Sequence, residues 1–462
     1  MVVIFLAAFL ASAAFAPIGI WYLAVLGYAL FLRKLSTTSQ PIWLAFLFGL
    51  VYNAIVLNWS GKFVGALPWL LLSLLQSLFY IPVGIVAKRF RNIWWMIFAL
   101  LAMELLRANF PFGGFGWTRI AFSQVQSPAL KVVSFGGVLA LSAMTLVFAA
   151  LLTRISLANL LWAILIIFGL AILPSNPQGS GSLKLLAIQG NTPSIGLDFN
   201  SRAKAVFELH RDATYRFAKA KYDAIIWPEN AIDIDPGAYP EVAQDIAKLN
   251  FKTQTPLIAG VVLQHNGSPE NASVMYDKDG NVESTYIKRG LTPFGEYMPL
   301  RGLAEFISPY AKSVTDFNAG QFLQVHKIGA NPIGPVICYE IIKDRLVREM
   351  AANSTGLIVQ TNSATFAGTS ESRQQLAITR IRAIENSRSI LSVSTIGISA
   401  LIDNNGRVVS QTKEDTQAYL KAEMQLNTYS TWANRFGYLA DIFVLGFIAI
   451  LAFRRSRYGQ YV

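Results

Sequence analysis

Cysteine is almost absent: the 462 residues contain one, Cys338. A single cysteine excludes an intrachain disulfide framework and leaves the redox compartment unreadable. Histidine is nearly as scarce. His210, His265 and His326 are scattered singly, with no Cys/His cluster, which argues against a transition-metal site. Charged residues make up 14% of the chain, against about 25% in soluble domains. No phosphate-binding loop, dinucleotide fingerprint or Gly-x-Ser-x-Gly elbow occurs, so those chemistries have no motif here. The net charge of +12 raises nucleic acid as a partner, but no basic patch belongs to a recognisable nucleic-acid module. No metal, cofactor or nucleic-acid partner is expected.

What is abundant is apolar length. The chain is 53% hydrophobic, concentrated in 1–175 and 436–453, while 183–430 has the make-up of a soluble domain. Eight runs approach the length of about 20 residues that a bilayer requires. They lie near 2–16, 18–33, 42–59, 66–87, 92–107, 135–153, 158–174 and 436–453. The first is short but lacks a basic leading region, so it reads as a retained helix rather than a signal peptide. Seven spans in 1–175, a globular domain at 183–430, an eighth span at 436–453 and a basic tail at 454–462 are therefore expected.

Arg and Lys set the orientation. Arg33, Lys34, Lys88, Arg89, Arg91, Arg154, Arg454, Arg455 and Arg457 fall on one side of the spans. Lys62, Arg107, Arg119 and Lys131 fall on the other. The richer side is the cytoplasmic one, so both ends lie inside and 175–435 lies outside the cytoplasmic membrane.

The segment 104–133 combines Glu104 and Arg107 with the run from Asn109 to Trp117, rich in phenylalanine and glycine. It is too aromatic for a solvated loop and too broken for a span. Aromatic rings favour the membrane interface, so it reads as an interfacial arm in which Phe110, Phe112, Phe115 and Trp117 line a lipid-facing cavity. A merely structural re-entrant loop fits the same residues.

In the soluble part, strand-like runs at Leu185–Gln189, Ala224–Trp227, Leu257–Leu263, Pro335–Ile337, Gly356–Gln360 and Ile390–Ser394 alternate with helical patterns at 201–220, 240–250, 341–352 and 371–387. Asp279-Gly280 and Asn405-Gly406 mark hairpin turns. The alternation predicts a layered α/β domain.

Cys338 lies where an apolar strand (Val336, Ile337) gives way to a helical pattern. A bend of that kind sets a cysteine at a helix N-terminus, which favours a thiolate. A small buried hydrophobe is the plain alternative. Glu229 directly follows the strand Ile225-Ile226-Trp227-Pro228, and Lys288 follows Ser284–Ile287. Singly, they look like a rim carboxylate and a hairpin-end lysine. Together, acyl transfer through cysteine needs a base, a thiolate and positive charge at the oxyanion.

Trp227-Pro-Glu-Asn230, Lys288 with Pro293-Phe-Gly-Glu-Tyr-Met-Pro299, and Cys338-Tyr-Glu340 resemble the three catalytic motifs of the nitrilase, or carbon–nitrogen hydrolase, superfamily. With the eight spans, Phe110–Trp117, Arg380–Glu385 and Gly397-Ile-Ser399, the chain resembles its membrane-embedded branch, the apolipoprotein N-acyltransferases. The resemblance implies an extracytoplasmic αββα sandwich beside a bundle of eight transmembrane helices in a bacterial membrane. It implies Cys338 as nucleophile and Glu229 as general base. Lys288 would stabilise the oxyanion with the backbone N–H of Tyr339, Glu296 would lie near the lysine, and Glu340 would lie at the pocket edge. The partners implied are a phospholipid acyl donor and a diacylglyceryl-apolipoprotein acceptor, handled by a monomer. Many members carry Asn-Asp-Ala-Trp-Phe-Gly where this chain has Asn362-Ser-Ala-Thr-Phe-Ala367, and Gln375 replaces a common histidine. Two competing readings are a membrane-tethered amidase for a small amide and a non-catalytic membrane scaffold or transporter. The scarcity of charge inside the spans argues against a transport pathway.

Overall fold

A computed structural model describes residues 1–196, 203–307, 311–312, 314–439, 442 and 446. The backbone resolves into two compact units. One takes Met1–Gly61, Ala66–Ser175 and the described residues from Thr431 onward; the other takes Lys62–Gly65 and Asn176–Ser430.

The first unit is helical: α1 (Val2–Ala13), α2 (Tyr22–Thr37), α3 (Pro41–Val56), α4 (Ala66–Leu78), α5 (Ile81–Phe90), α6 (Ile93–Asn109), α7 (Val133–Leu152) and α8 (Leu157–Ala171). Local chemistry sets the ends. Pro17 and Gly19 follow α1, Pro41 opens α3, and the Asn92 side chain caps α6 by accepting from the Trp94 N–H at 2.9 Å. Helices α1 and α2 meet through Gly27, where a Cβ would lie 2.6 Å from backbone atoms of Ala7 and Ala11. Such close approach through small residues is how apolar helices pack in lipid.

Three of the expected spans, 2–16, 42–59 and 158–174, are shorter as helices than as apolar runs. Among the described residues, two helical stretches are long and apolar enough to cross a bilayer, Ala66–Phe90 and Leu130–Leu152; Val2–Ala13, Pro41–Val56 and Leu157–Ala171 are apolar but shorter. Apolar runs continue through turns that helices do not, as at Phe79-Tyr80 between α4 and α5. The eighth expected span and the basic tail lie mostly outside the described residues. Helix α8 exposes Leu160, Leu161, Trp162, Leu165 and Phe168 together, a surface that calls for an apolar environment.

Within 104–133, α6 carries Glu104 and Arg107, and the chain then folds back on them. Glu104 Oε1 accepts from the Ile120 N–H at 2.6 Å. Arg107 donates to Thr118 Oγ1 at 2.8 Å and to the Thr118 carbonyl at 2.6 Å. Gly114 has φ +83, and a Cβ there would lie 2.2 Å from the Ala108 backbone, so only glycine permits the return. Thr118 to Ser123 are buried. The segment expected as an interfacial arm is thus held back against α6 through Glu104 and Arg107. Phe110 is exposed, Phe112 and Phe115 are partly buried, and Trp117 is buried against Trp59.

Among its described residues the second unit holds twelve strands: β1 (Ser182–Gln189), β2 (Ala224–Ile226), β3 (Leu257–His265), β4 (Ser268–Tyr276), β5 (Val282–Ile287), β6 (His326–Ile328), β7 (Asn331–Ile337), β8 (Gly356–Thr361), β9 (Ile390–Ser394), β10 (Ala400–Ile402), β11 (Val408–Gln411) and β12 (Ala418–Gln425). They form two six-stranded sheets, β12-β1-β2-β3-β4-β5 and β11-β10-β9-β8-β7-β6. Strands β1 to β3 run parallel, as do β7 to β9, and antiparallel strands flank both sets. The sheets pack face to face through Leu185, Ile226 and Met275 on one side and Ile333, Ile358 and Leu391 on the other. Helices α9 (Ala205–Phe217) and α10 (Pro240–Thr253) cover the outer face of the first sheet through Phe207, Ala213, Val242, Ile246 and Leu249. Helices α12 (Asp344–Ala352) and α13 (Glu371–Asn386) lie against the second, and a short α11 (Arg301–Ile307) sits in the β5–β6 connection. The result is the expected αββα sandwich.

Candidate active site

Four strand ends deliver the site. Parallel strands expose their carboxyl ends as the natural place for chemistry. Glu229 follows β2, Cys338 follows β7, Asn362 follows β8, and Lys288 follows the antiparallel β5. The Glu229 turn is held from below by Trp227, whose Nε1 donates to Thr214 Oγ1 at 2.9 Å, and by Gln360, whose amide donates to the Trp227 carbonyl at 2.7 Å.

Glu229, Lys288 and Glu296 form one buried network. Lys288 Nζ lies 3.1 Å from Glu229 Oε1 and 2.8 Å from Glu296 Oε2. The Asn271 amide donates to Glu229 Oε1 at 2.8 Å and to Glu296 Oε1 at 2.7 Å. The second oxygen of Glu229 accepts from the Asn362 N–H at 2.9 Å. Burial opposes the Lys288 charge, but Glu229 and Glu296 outweigh it and push its pKa up. Burial likewise works against ionised Glu296, and Lys288 and Asn271 overcome it and hold its pKa below the usual carboxylate value. The lysine therefore remains a fixed cation.

Cys338 occupies a strained bend. Its φ is +47, a left-handed conformation that costs a non-glycine residue about 1–2 kcal/mol and that often marks functional positions. The turn Cys338–Ile342 is a 3₁₀ helix, and α12 begins only at Asp344. This corrects the expectation of a thiolate at an α-helix N-terminus. One short turn supplies little dipole, and burial pushes the Cys338 thiol well up, with Glu229 adding to the effect and Lys288 opposing it. The resting group is a neutral thiol that needs a base. The Gln375 amide faces Sγ at 3.9 Å.

Glu340 is fully buried rather than at a pocket edge. One oxygen accepts from Tyr286 Oη and from the N–H groups of Arg289 and Gly290 at 2.8–2.9 Å, and the other accepts from the Ile337 N–H at 2.8 Å. It ties the strand end before Cys338 to the turn after Lys288. Tyr339 is buried, with Lys343 Nζ 4.7 Å from its ring centre.

Three contributors were not singled out in the sequence: Asn271 on β4, the Asn362 N–H, and Glu371. Glu371 is 3% exposed. Burial raises its pKa to about 7, although hydrogen bonds from Ser363 and Ser372 work the other way. A lone asparagine in a strand and a glutamate opening a helix carry no chemical signature in sequence. Phe110, Phe112, Phe115 and Trp117 belong to the other unit, where Trp117 packs against Trp59 and stacks with Phe115.

Comparison with known proteins agrees with both halves. Residues 185–434 match the carbon–nitrogen hydrolase family model, and residues 7–151 match the apolipoprotein N-acyltransferase N-terminal domain. The apolipoprotein N-acyltransferase of Mycolicibacterium smegmatis is 31% identical over 97% of this chain and 84% of its own length. That of Geobacter metallireducens is 28% identical over 89% of this chain and 87% of its own. Among solved structures, an amidase from Nesterenkonia sp. superposes with a TM-score of 0.42 at 15% identity, covering 55% of this chain and 95% of the amidase. The chain belongs to the apolipoprotein N-acyltransferase family, with a carbon–nitrogen hydrolase domain as its second half.

Proposed function

We propose that the enzyme N-acylates lipoproteins in two steps through a thioester on Cys338. In the first, Glu229 takes the Sγ proton and sulfur attacks the ester carbonyl of a phospholipid. The lysophospholipid leaves with that proton. In the second, the α-amino group at an apolipoprotein's S-diacylglyceryl cysteine attacks the thioester, and the acyl chain moves to nitrogen. Lys288 balances the negative charge on the carbonyl oxygen in both steps, together with the Tyr339 N–H. Glu296 holds Lys288, and Glu340 fixes the turns that carry Lys288 and Cys338.

The observation that carries this reading is a neutral, half-buried thiol on a strained turn beside a carboxylate and a fixed cation. That set suits covalent acyl transfer. The amidase reading is the less supported, because the relatives matched over most of the chain are named acyltransferases.

The proposal extends to the membrane. The enzyme is a monomer with eight spans, and 183–430 faces outward. The basic asymmetry of the loops supports that orientation. The Asn266-Gly267 turn between β3 and β4 is an exposed place for a reporter. A reporter that works only outside the cytoplasm should be active there; strong activity of a cytoplasm-only reporter at that turn reverses the topology.

The same proposal assigns Phe110, Phe112, Phe115 and Trp117 to the acyl-chain route. A thioester must be kept from water while a diacyl lipid enters. Phospholipid and a diacylglyceryl peptide should yield triacylated peptide, with no ammonia released from small amides. In Phe110→Ser/Phe112→Ser, acyl-enzyme formation from bilayer lipid should fall at least tenfold. This corresponds to about 1.4 kcal/mol, within the range expected for burying aromatic rings. Reaction with a short-chain soluble ester should fall much less. Equal losses would assign the loop to the fold alone.

A further inference from the structure

The two-step reaction leaves one proton unassigned. An amino terminus reaches the site mostly as an ammonium, with an ordinary pKa near 7.7–8.0, and an ammonium has no lone pair with which to attack. Glu229, ionised again once the lysophospholipid has left, is needed for the later proton that passes from the attacking amine to sulfur. The described residues hold a second buried carboxyl that the proposed mechanism does not use.

We infer that Glu371 meets the incoming acceptor ammonium beside the Cys338 thioester and takes the proton it must lose before attack. The inference rests on the thioester reading above and adds a residue to its second step. The geometry lies on α13. Glu371 and Gln375 are four residues apart, so their side chains share one helix face about 6 Å apart. Gln375 is the residue whose amide reaches Sγ, so Glu371 lies one helical turn from the residue that faces the nucleophile, and its charge is felt at Cys338. Both are almost fully buried. The carboxyl is oriented by Ser372, whose hydroxyl donates to Oε2 at 3.3 Å, and by Ser363. Ser363 stands in the stretch where the more usual family motif has aspartate, so α13 brings a carboxylate to a place where the β8 loop has lost one.

The surrounding charges suit an ammonium. Glu229 comes from the end of β2, Lys288 with Glu296 from β5 and the loop after it, and Cys338 from β7. Glu414, from the β11–β12 connection, is paired with Arg373 at 3.1 Å. Burial, followed by the nearby Glu229 and Glu414 charges, raises the Glu371 pKa to about 7, with the serine hydroxyls opposing. A base of that strength is matched to an amine, whereas an ordinary carboxylate is several units too weak.

The step balances. The ammonium gives one proton to the Glu371 carboxylate. The neutral amine attacks the thioester carbon, the C–N bond forms, and the C–S bond breaks. The second amine proton passes through Glu229 to the departing sulfur. Glu371 returns its proton to water.

The test uses the full-length chain in detergent, acylated first with p-nitrophenyl palmitate, an ester that requires no particular headgroup. Wild type and Glu371→Gln acyl-enzymes are then mixed with a diacylglyceryl peptide or with hydroxylamine, which is already a free base at pH 7. With the peptide at pH 7, the Gln variant should transfer about tenfold more slowly, because only about one amine in ten is neutral without help. The deficit should close to twofold or less at pH 9. With hydroxylamine, the two acyl-enzymes should react within twofold of each other at pH 7. A deficit that persists at pH 9, or one shared equally by hydroxylamine, would make Glu371 a support for the Cys338 turn and overturn the inference. A wild-type chain that forms no acyl-enzyme overturns the thioester reading instead.

Discussion

Cys338→Ala is expected to lose acyl transfer completely while remaining folded, and Cys338→Ser is expected to do the same. The chain contains no second cysteine to substitute. The fold has little to lose: the hydrogen bond that reaches the sulfur from the Gln375 amide is long, at 3.9 Å, and alanine inherits the same strained φ. The stability change should stay within about 1 kcal/mol, the scale of a single modest hydrogen bond. Serine keeps the geometry, but its hydroxyl is a far harder group to deprotonate than a thiol already pushed up by burial. Activity assays beside thermal melts check both halves. Substantial transfer by the alanine variant removes the thioester from the mechanism.

Lys288→Met should give the second largest effect, through two separable losses. Removing the cation takes away one oxyanion partner, on the order of 10²–10³ in rate. It also leaves Glu229 and Glu296 facing each other through Asn271 with no counter-charge. Breaking a buried ion pair from one side costs about 3–5 kcal/mol. Adding Glu296→Gln to Lys288→Met should restore much of the stability and none of the rate, since the amide can share Asn271 without charge. Melting temperatures and single-turnover rates on the same samples separate the two. Recovery of rate with stability would mean that Lys288 serves only the fold.

The sequence carried the site more fully than the fold around it. Glu229 and Cys338 each follow an apolar strand, and Lys288 closes the less apolar Ser284–Ile287 run; it is the three motifs together, not any one residue, that mark the site. The Asp279-Gly280 and Asn405-Gly406 turns were equally plain, with Gly280 at φ +87 and Gly406 at φ +76. The strands β1, β2, β3, β7, β8 and β9 are legible because they are buried and apolar. Flanking strands are harder. In β12, Tyr419, Lys421, Glu423 and Gln425 alternate with inward residues, a period of two hidden by charge. Asn266-Gly267 closes a third hairpin by the same chemistry as the other two. Some helix ends in the first unit were misplaced, as at 2–16, 42–59 and 158–174, because hydropathy does not see the turns that interrupt apolar runs. The state of Cys338 depended on burial and on the 3₁₀ turn, and neither is written in residue spacing. Asn271 and Glu371 reach the site only through sheet pairing and helix packing, long-range contacts that a local pattern cannot encode.

The most direct test of the central claim is intact-protein mass spectrometry after incubation with phospholipid alone. The account predicts that the wild-type chain gains the mass of one acyl group, that fragmentation assigns it to Cys338, and that adding diacylglyceryl peptide discharges it. An unmodified wild-type protein that still acylates the peptide, or an adduct of equal yield on Cys338→Ala, would contradict it.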